Sequence, residues 1–146
     1  MSRRIPSIAA IAAAATGRST ICNVSRPPLV IRTALTDELV ASRAAFDQRD
    51  PDSGWRHLER AHVLSQPWAI PHINVHNVML RRGFKAGDRK EVFGQLVRII
   101  VAGPGSLFGR YPVGNSGRAR VSAMKPMPLA EDLAALLETA TQTPSR

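Results

Sequence analysis

From Thr36 onward the apolar positions recur at three- and four-residue spacing, so the pattern predicts an all-α fold. A first helix is expected to start at Thr36, whose hydroxyl can cap it, with Asp37 and Glu38 at the positive end of the dipole. Leu39, Val40 and Phe46 form its apolar side, and it should end near Arg49. Asp50-Pro51 is a restart signal, a capping residue followed by a first-turn proline. The second helix carries Trp55, Leu58, Ala61, His62 and Leu64, and Ser65-Gln66-Pro67 stops it. A third is expected from Pro71 to about Arg82, and a fourth from Arg89 to Ala102, ended by Gly103-Pro104-Gly105. The fourth is apolar on most sides near its end, which predicts the most buried helix of the set. A long Gly- and Pro-bearing loop follows, and then a last helix from Leu129 to Ala140. Its Leu129, Leu133, Leu136 and Leu137 share a face suited to packing back on the bundle.

The two helix pairs invite a repeat test. At an offset of 38 residues, Val40 falls on Val78, Phe46 on Phe84, Asp50 on Asp88, Trp55 on Phe93 and Leu58 on Leu96. The spacing is similar to a tetratricopeptide repeat, slightly lengthened and present in two copies. The predicted architecture is therefore a tetratricopeptide-like pair of helical hairpins with a long loop and a C-terminal helix.

Composition alters the picture mainly at the N-terminus. The chain has 146 residues and a net charge of +9. Arg3, Arg4, Arg18, Arg26 and Arg32 stand among the first 36 residues with no acid, so that quarter supplies +5 of the total. Arg3-Arg4 precedes an Ile/Ala run from Ile8 to Ala15, the outline of a targeting segment, although Pro6 interrupts it. A disordered extension is the plainer reading. The expected division is an extension over 1–33, one helical domain over 34–140 and a short tail over 141–146. A cytoplasmic location follows, or export if the leader is a genuine signal. A single cysteine, Cys22, excludes a disulfide framework and a multi-cysteine metal site. The sequence contains no uninterrupted apolar stretch long enough to span a membrane.

All four histidines lie between His57 and His76. His72 and His76 are four apart and share a helix face, so they could chelate one ion. His57 and His62 are five apart and cannot both face the same point, but either could meet the other pair across a hairpin. A site for zinc, copper or a similar divalent ion is one reading. Hydrogen bonding to carbonyls or carboxylates is the commoner use of such residues. No His-Glu-x-x-His motif, phosphate loop, nucleophile elbow or carboxylate pair is present, so no catalytic residue is assigned. Gly114-Asn115-Ser116-Gly117 reads as a tight turn, or as a nest of amides for an anion. Arg81, Arg82, Lys85, Arg89 and Lys90 form a basic cluster interrupted by Asp88 and Glu91. With few aromatics to stack bases, a solvated surface is a better account of it than nucleic-acid binding.

The block His57-Leu58-Glu59-Arg60-Ala61-His62-Val63-Leu64-Ser65-Gln66-Pro67-Trp68, then Pro71-His72 and Val75-His76, resembles the domain of unknown function 3703 family. The resemblance continues through Gly94-Gln95-Leu96, Pro104-Gly105-Ser106-Leu107-Phe108-Gly109 and Gly114-Asn115-Ser116-Gly117 to Asp132-Leu133, covering roughly residues 35–137. It implies a bacterial origin and one compact helical domain, and it carries no activity over. The leading expectation is a non-catalytic module that binds a protein or peptide in a groove holding Phe46, Met79 and Phe84. The alternative is a metal-binding or metal-handling protein using His57, His62, His72 and His76. A third reading is an enzyme with histidine acid–base chemistry.

Overall fold

The computed structural model describes residues 26–107 and 111–142. Among these residues the elements are five helices: α1 (Leu29–Asp47), α2 (Pro51–Ser65), α3 (Ala69–Ala86), α4 (Arg89–Leu107) and α5 (Glu131–Gln142). The leader and Cys22 lie outside the described residues. Helices α1 and α2 pair closely, as do α3 and α4. The α2–α3 contact joins the two hairpins, and α5 lies against α1 and α2. The all-α expectation and the hairpin pairing therefore describe the chain. No helix of the described residues is long and apolar enough to cross a membrane.

Several boundaries move for identifiable reasons. Helix α1 starts at Leu29, not Thr36, because the Pro28 carbonyl accepts the first amides, from Ile31 and Arg32. Thr36 sits inside the helix, its hydroxyl donating to the Arg32 carbonyl. The Asp50 restart is as expected: its side chain accepts from the Ser53 amide, with Pro51 at the first helical position. Helix α3 starts two residues before Pro71. Helix α4 runs past Gly103-Pro104-Gly105 to Leu107. Pro104 removes one helical N–H, but Ser106 is fully buried and its hydroxyl donates to the Gln66 carbonyl at 2.7 Å, which ties down the last turn.

Two apolar clusters hold the first part of the molecule. Ile31, Val63, Leu64, Leu133, Leu137 and Ala140 join α1, α2 and α5. Leu58, Ala61, Val75 and Met79 join α2 and α3, with Phe46 and Trp55 against them. Close approach of α1 and α2 depends on Gly54, where a Cβ would lie 2.7 Å from the Phe46 ring. Ser42 also donates to the Gly54 carbonyl.

Helix α4 overturns its expectation. Its buried residues are Glu91, Gln95, Arg98, Ala102 and Ser106, one stripe at helical spacing and mostly polar. Phe93, Leu96, Val97, Ile100 and Val101 are exposed instead. Among the described residues, the helix packs on α3 and no other helix. Its inner face meets histidines and a polar loop, and the polar stripe follows from that.

Candidate metal centre

The site forms where α2 ends and α3 begins. A short turn through Gln66, Pro67 and Trp68 reverses the chain, so the last turns of α2 meet the first turns of α3. His62 comes from α2, and His72 and His76 come from one face of α3; all three are buried. The Nε2 atom of His62 lies 2.9 Å from Nε2 of His72 and 3.3 Å from Nε2 of His76. One ring nitrogen from each of the three falls within 4.8 Å of the others.

The opposite ring nitrogens determine what those Nε2 atoms are. Nδ1 of His62 lies 2.8 Å from the Asn115 carbonyl, which can only accept. Nδ1 of His72 lies 2.8 Å from the Ser106 hydroxyl, whose proton goes to the Gln66 carbonyl. Nδ1 of His76 lies 2.7 Å from Oε1 of Gln95. The Gln95 amide cannot be reversed without cost, because its Nε2 donates to Glu91 and to the Gly117 carbonyl. Each imidazole therefore donates through Nδ1, and three unprotonated Nε2 lone pairs converge. Burial, reinforced by His76, holds His72 at a pKa of about 3. Burial dominates for His76 too, at about 4, partly opposed by the Gln95 hydrogen bond. His62 is driven well below the ordinary histidine range, first by burial and then by His76 and His72. All three are neutral near pH 7, the state that ligates metal.

Three neutral lone pairs facing one another at these distances repel unless a cation sits between them. Metal–nitrogen bonds of about 2.0–2.1 Å place tetrahedral ligands about 3.3 Å apart. The observed 2.9 and 3.3 Å separations lie within a few tenths of an ångström of that edge. The partners on Nδ1 are the outer shell that orients metal-bound imidazoles.

The surrounding shell is also braced. Glu91 is fully buried and accepts from Gln95, Arg118 and the Ala119 amide. Arg118 also bonds Glu59 and stacks 3.7 Å over the Trp55 ring. Burial raises the Glu59 pKa, and Arg118 opposes the rise. Gly117 must be glycine, because it has a φ of 77° and its Cβ would fall 2.7 Å from the His62 ring. The backbone-bonded turn lies earlier than the 114–117 expected, where the Asn115 amide donates to the Pro112 carbonyl at 3.1 Å. The Gly117 amide is taken by Asn115 Oδ1, and the Asn115 and Gly117 carbonyls hold His62 and Gln95.

The other residues singled out from sequence lie elsewhere. His57 is bonded to Glu38 at 2.7 Å, away from the triad. Met79 is fully buried. Phe46 is packed edge-on to Trp55 and capped by Arg82 at 4.3 Å, while Phe84 is exposed. A side chain as enclosed as Met79 has no surface to offer a docked partner. Gln95, Ser106, Asn115 and Glu91 were not anticipated as parts of the site. The available signal was polar residues at 91, 95, 98 and 106, one face of an otherwise apolar helix.

Fold and site together define an all-helical protein with a buried triad of neutral histidines. Residues 30–137 match the family described as protein of unknown function (DUF3703), and the chain belongs to that family. No curated protein and no solved structure matches the chain.

Proposed function

We propose that this protein binds one divalent metal ion, of the zinc class, through Nε2 of His62, His72 and His76. The observation that carries the reading is the convergence of three lone pairs whose tautomers are all dictated by Nδ1 partners. All-nitrogen ligation favours zinc, copper, nickel or cobalt over calcium or magnesium. Three protein ligands leave a coordination position open, the arrangement of metal sites that act on a further ligand. That position has somewhere to go: the triad borders a cavity of about 190 Å³. A metal there supplies Lewis acidity, and the protein supplies a dry, positioned site.

Titration calorimetry of the chelator-stripped full chain with zinc tests the reading. One equivalent is expected to bind. Binding is lost in His62→Ala, His72→Ala and His76→Ala and retained in His57→Ala, whose ring is committed to Glu38. Equal zinc binding by wild type and all four variants, or none by wild type, would overturn it.

A further inference from the structure

The cavity beside the triad contains a second chemical group. Arg98 lines it together with His62, His72, His76, Tyr111 and Met124. Arg98 is 8% exposed, and no carboxylate among the described residues bonds to it. The comparison with two other arginines is direct. Arg118 is paired with Glu91 and Glu59, and Arg60 with Glu38 and Asp132. Arg98 instead donates to three backbone carbonyls, those of Gly94, Arg118 and Val121. These bonds occupy Nη2 and part of Nη1, and Nε–H has no acceptor among the described residues. Every fully buried side-chain nitrogen or oxygen among the described residues has a partner, so this Nε is not completely enclosed. Burial lowers the Arg98 pKa and Glu91 opposes this only through space, so no carboxylate bonds the buried cation directly and a ligand oxygen can.

Charge accounting points the same way. The described cavity lining holds one arginine, three histidines and no acid. A divalent ion on the triad would add two further positive charges. We infer that the open metal position and Arg98 form one binding site for a small oxyanion, such as a carboxylate, carbonate or phosphate group. The metal takes one oxygen and the guanidinium donates to another. The remaining Nε–H can donate to a second oxygen of a bound oxyanion, an acceptor that a single-atom anion does not offer. The cavity volume of about 190 Å³ limits the ligand to a small one, below the roughly 300–1,000 Å³ of sites that take drug-sized molecules. The carbonyl bonds hold the guanidinium in place, so the site is built before the ligand arrives.

This inference rests on the metal reading, and the test separates the two. The full chain is loaded with cobalt(II), whose visible bands report the number and kind of its ligands. Acetate, bicarbonate and phosphate are then titrated against thiocyanate, which needs only the metal. The expected result is a band shift with each oxyanion that fits and an affinity at least about tenfold above that of thiocyanate. The planar and tetrahedral oxyanions report which shape the cavity accepts. Arg98→Gln is expected to lose about tenfold or more in oxyanion affinity while keeping its cobalt and thiocyanate affinities. Arg98→Lys keeps the charge but removes the Nε–H; it serves if the glutamine variant does not fold, and is expected to lose oxyanion affinity in the same way. Cobalt binding with bands indifferent to oxyanions, or no oxyanion preference over thiocyanate, overturns the inference and leaves the metal site standing. Absence of cobalt bands removes the metal reading and this one with it.

Discussion

Helices α2 and α4 begin alike and end in opposite environments. Asp50 caps one and Asp88 the other, each accepting the backbone amide three residues on. Eight residues past the cap, α2 places Leu58 in the core, and α4 places Leu96 on the surface. Trp55 is half-buried, while its counterpart Phe93 is 71% exposed. The difference lies in what surrounds each helix: α2 is enclosed by α1, α3 and α5, whereas α4 has α3 and the loop over 111–130. The caps, which are local, match at the 38-residue offset. The packing, which is set by neighbours, does not match. The α4 helix has given its inner face to Gln95, Arg98 and Ser106, which serve the histidines and the cavity.

The comparison predicts that the two regions respond differently to acid, and this is the largest effect expected. His72 and His76 have pKa values of about 3 and about 4 when folded, and His62 is also strongly lowered. The unfolded values are about 6.5. Below that value the unfolded chain takes up protons that the folded chain refuses. Stability is therefore full above about pH 6.5 and falls as the pH drops toward 4, by up to about 1.4 kcal/mol per pH unit for each histidine. Urea denaturation of the metal-free protein between pH 8 and pH 4, values chosen around that window of about 6.5 to 4, measures the slope. A midpoint that stays level across it would contradict the neutral triad.

The dry core is tested next. Leu58→Ala removes a fully buried side chain from the α2–α3 cluster and should cost about 2–5 kcal/mol. The loss should be the same with and without zinc, since Leu58 contributes no atom to the site. The polar side should behave in the reverse sense. His72→Phe keeps a ring of similar bulk, removes one converging lone pair and leaves Ser106 its bond to Gln66. Without metal its stability should stay within about 1 kcal/mol of wild type. With metal at 100 times the wild-type dissociation constant, it should lack the stabilisation of about 2.7 kcal/mol that the wild type gains. A metal-independent collapse of this variant would mean that the triad is structural.

The outer shell comes third in size. Gln95→Leu leaves all three imidazoles in place but deprives His76 Nδ1 of its acceptor. Zinc affinity should fall by about 10- to 100-fold, the usual effect of an outer-shell partner. Competition against a chelator of known affinity measures it. Unchanged affinity would show that helix packing alone orients His76.

The legibility of this molecule from sequence divides along the same line. The Asp50-Pro51 restart, the α5 stripe of Leu133 and Leu137 and the His72–His76 pairing are local patterns, and the structure has them. His62 was placed within reach of that pair by hairpin logic alone. Choosing His62 over His57 required knowing that α2 turns His57 toward Glu38 on α1, a tertiary contact. The start of α1 was hidden because Pro27-Pro28 reads as a break, when Pro28 in fact supplies the first carbonyls. Burial of α4 was misread because a hydrophobic count does not say which face a helix presents. The polar residues at 91, 95 and 98 were the better guide.

The smallest predicted effect is the most direct check on the paired helices. Leu96 stands 38 residues after Leu58 and is 46% exposed. Leu96→Ala should cost about 1 kcal/mol or less, because a half-exposed side chain leaves little cavity behind and much of its area already faces water. Denaturation of Leu58→Ala and Leu96→Ala under one set of conditions gives the contrast directly. Equal losses at the two positions would mean that the outer face of α4 is covered in solution. A loss at Leu96 that grew with protein concentration would identify the cover as a second copy of the chain, since only association makes stability depend on concentration.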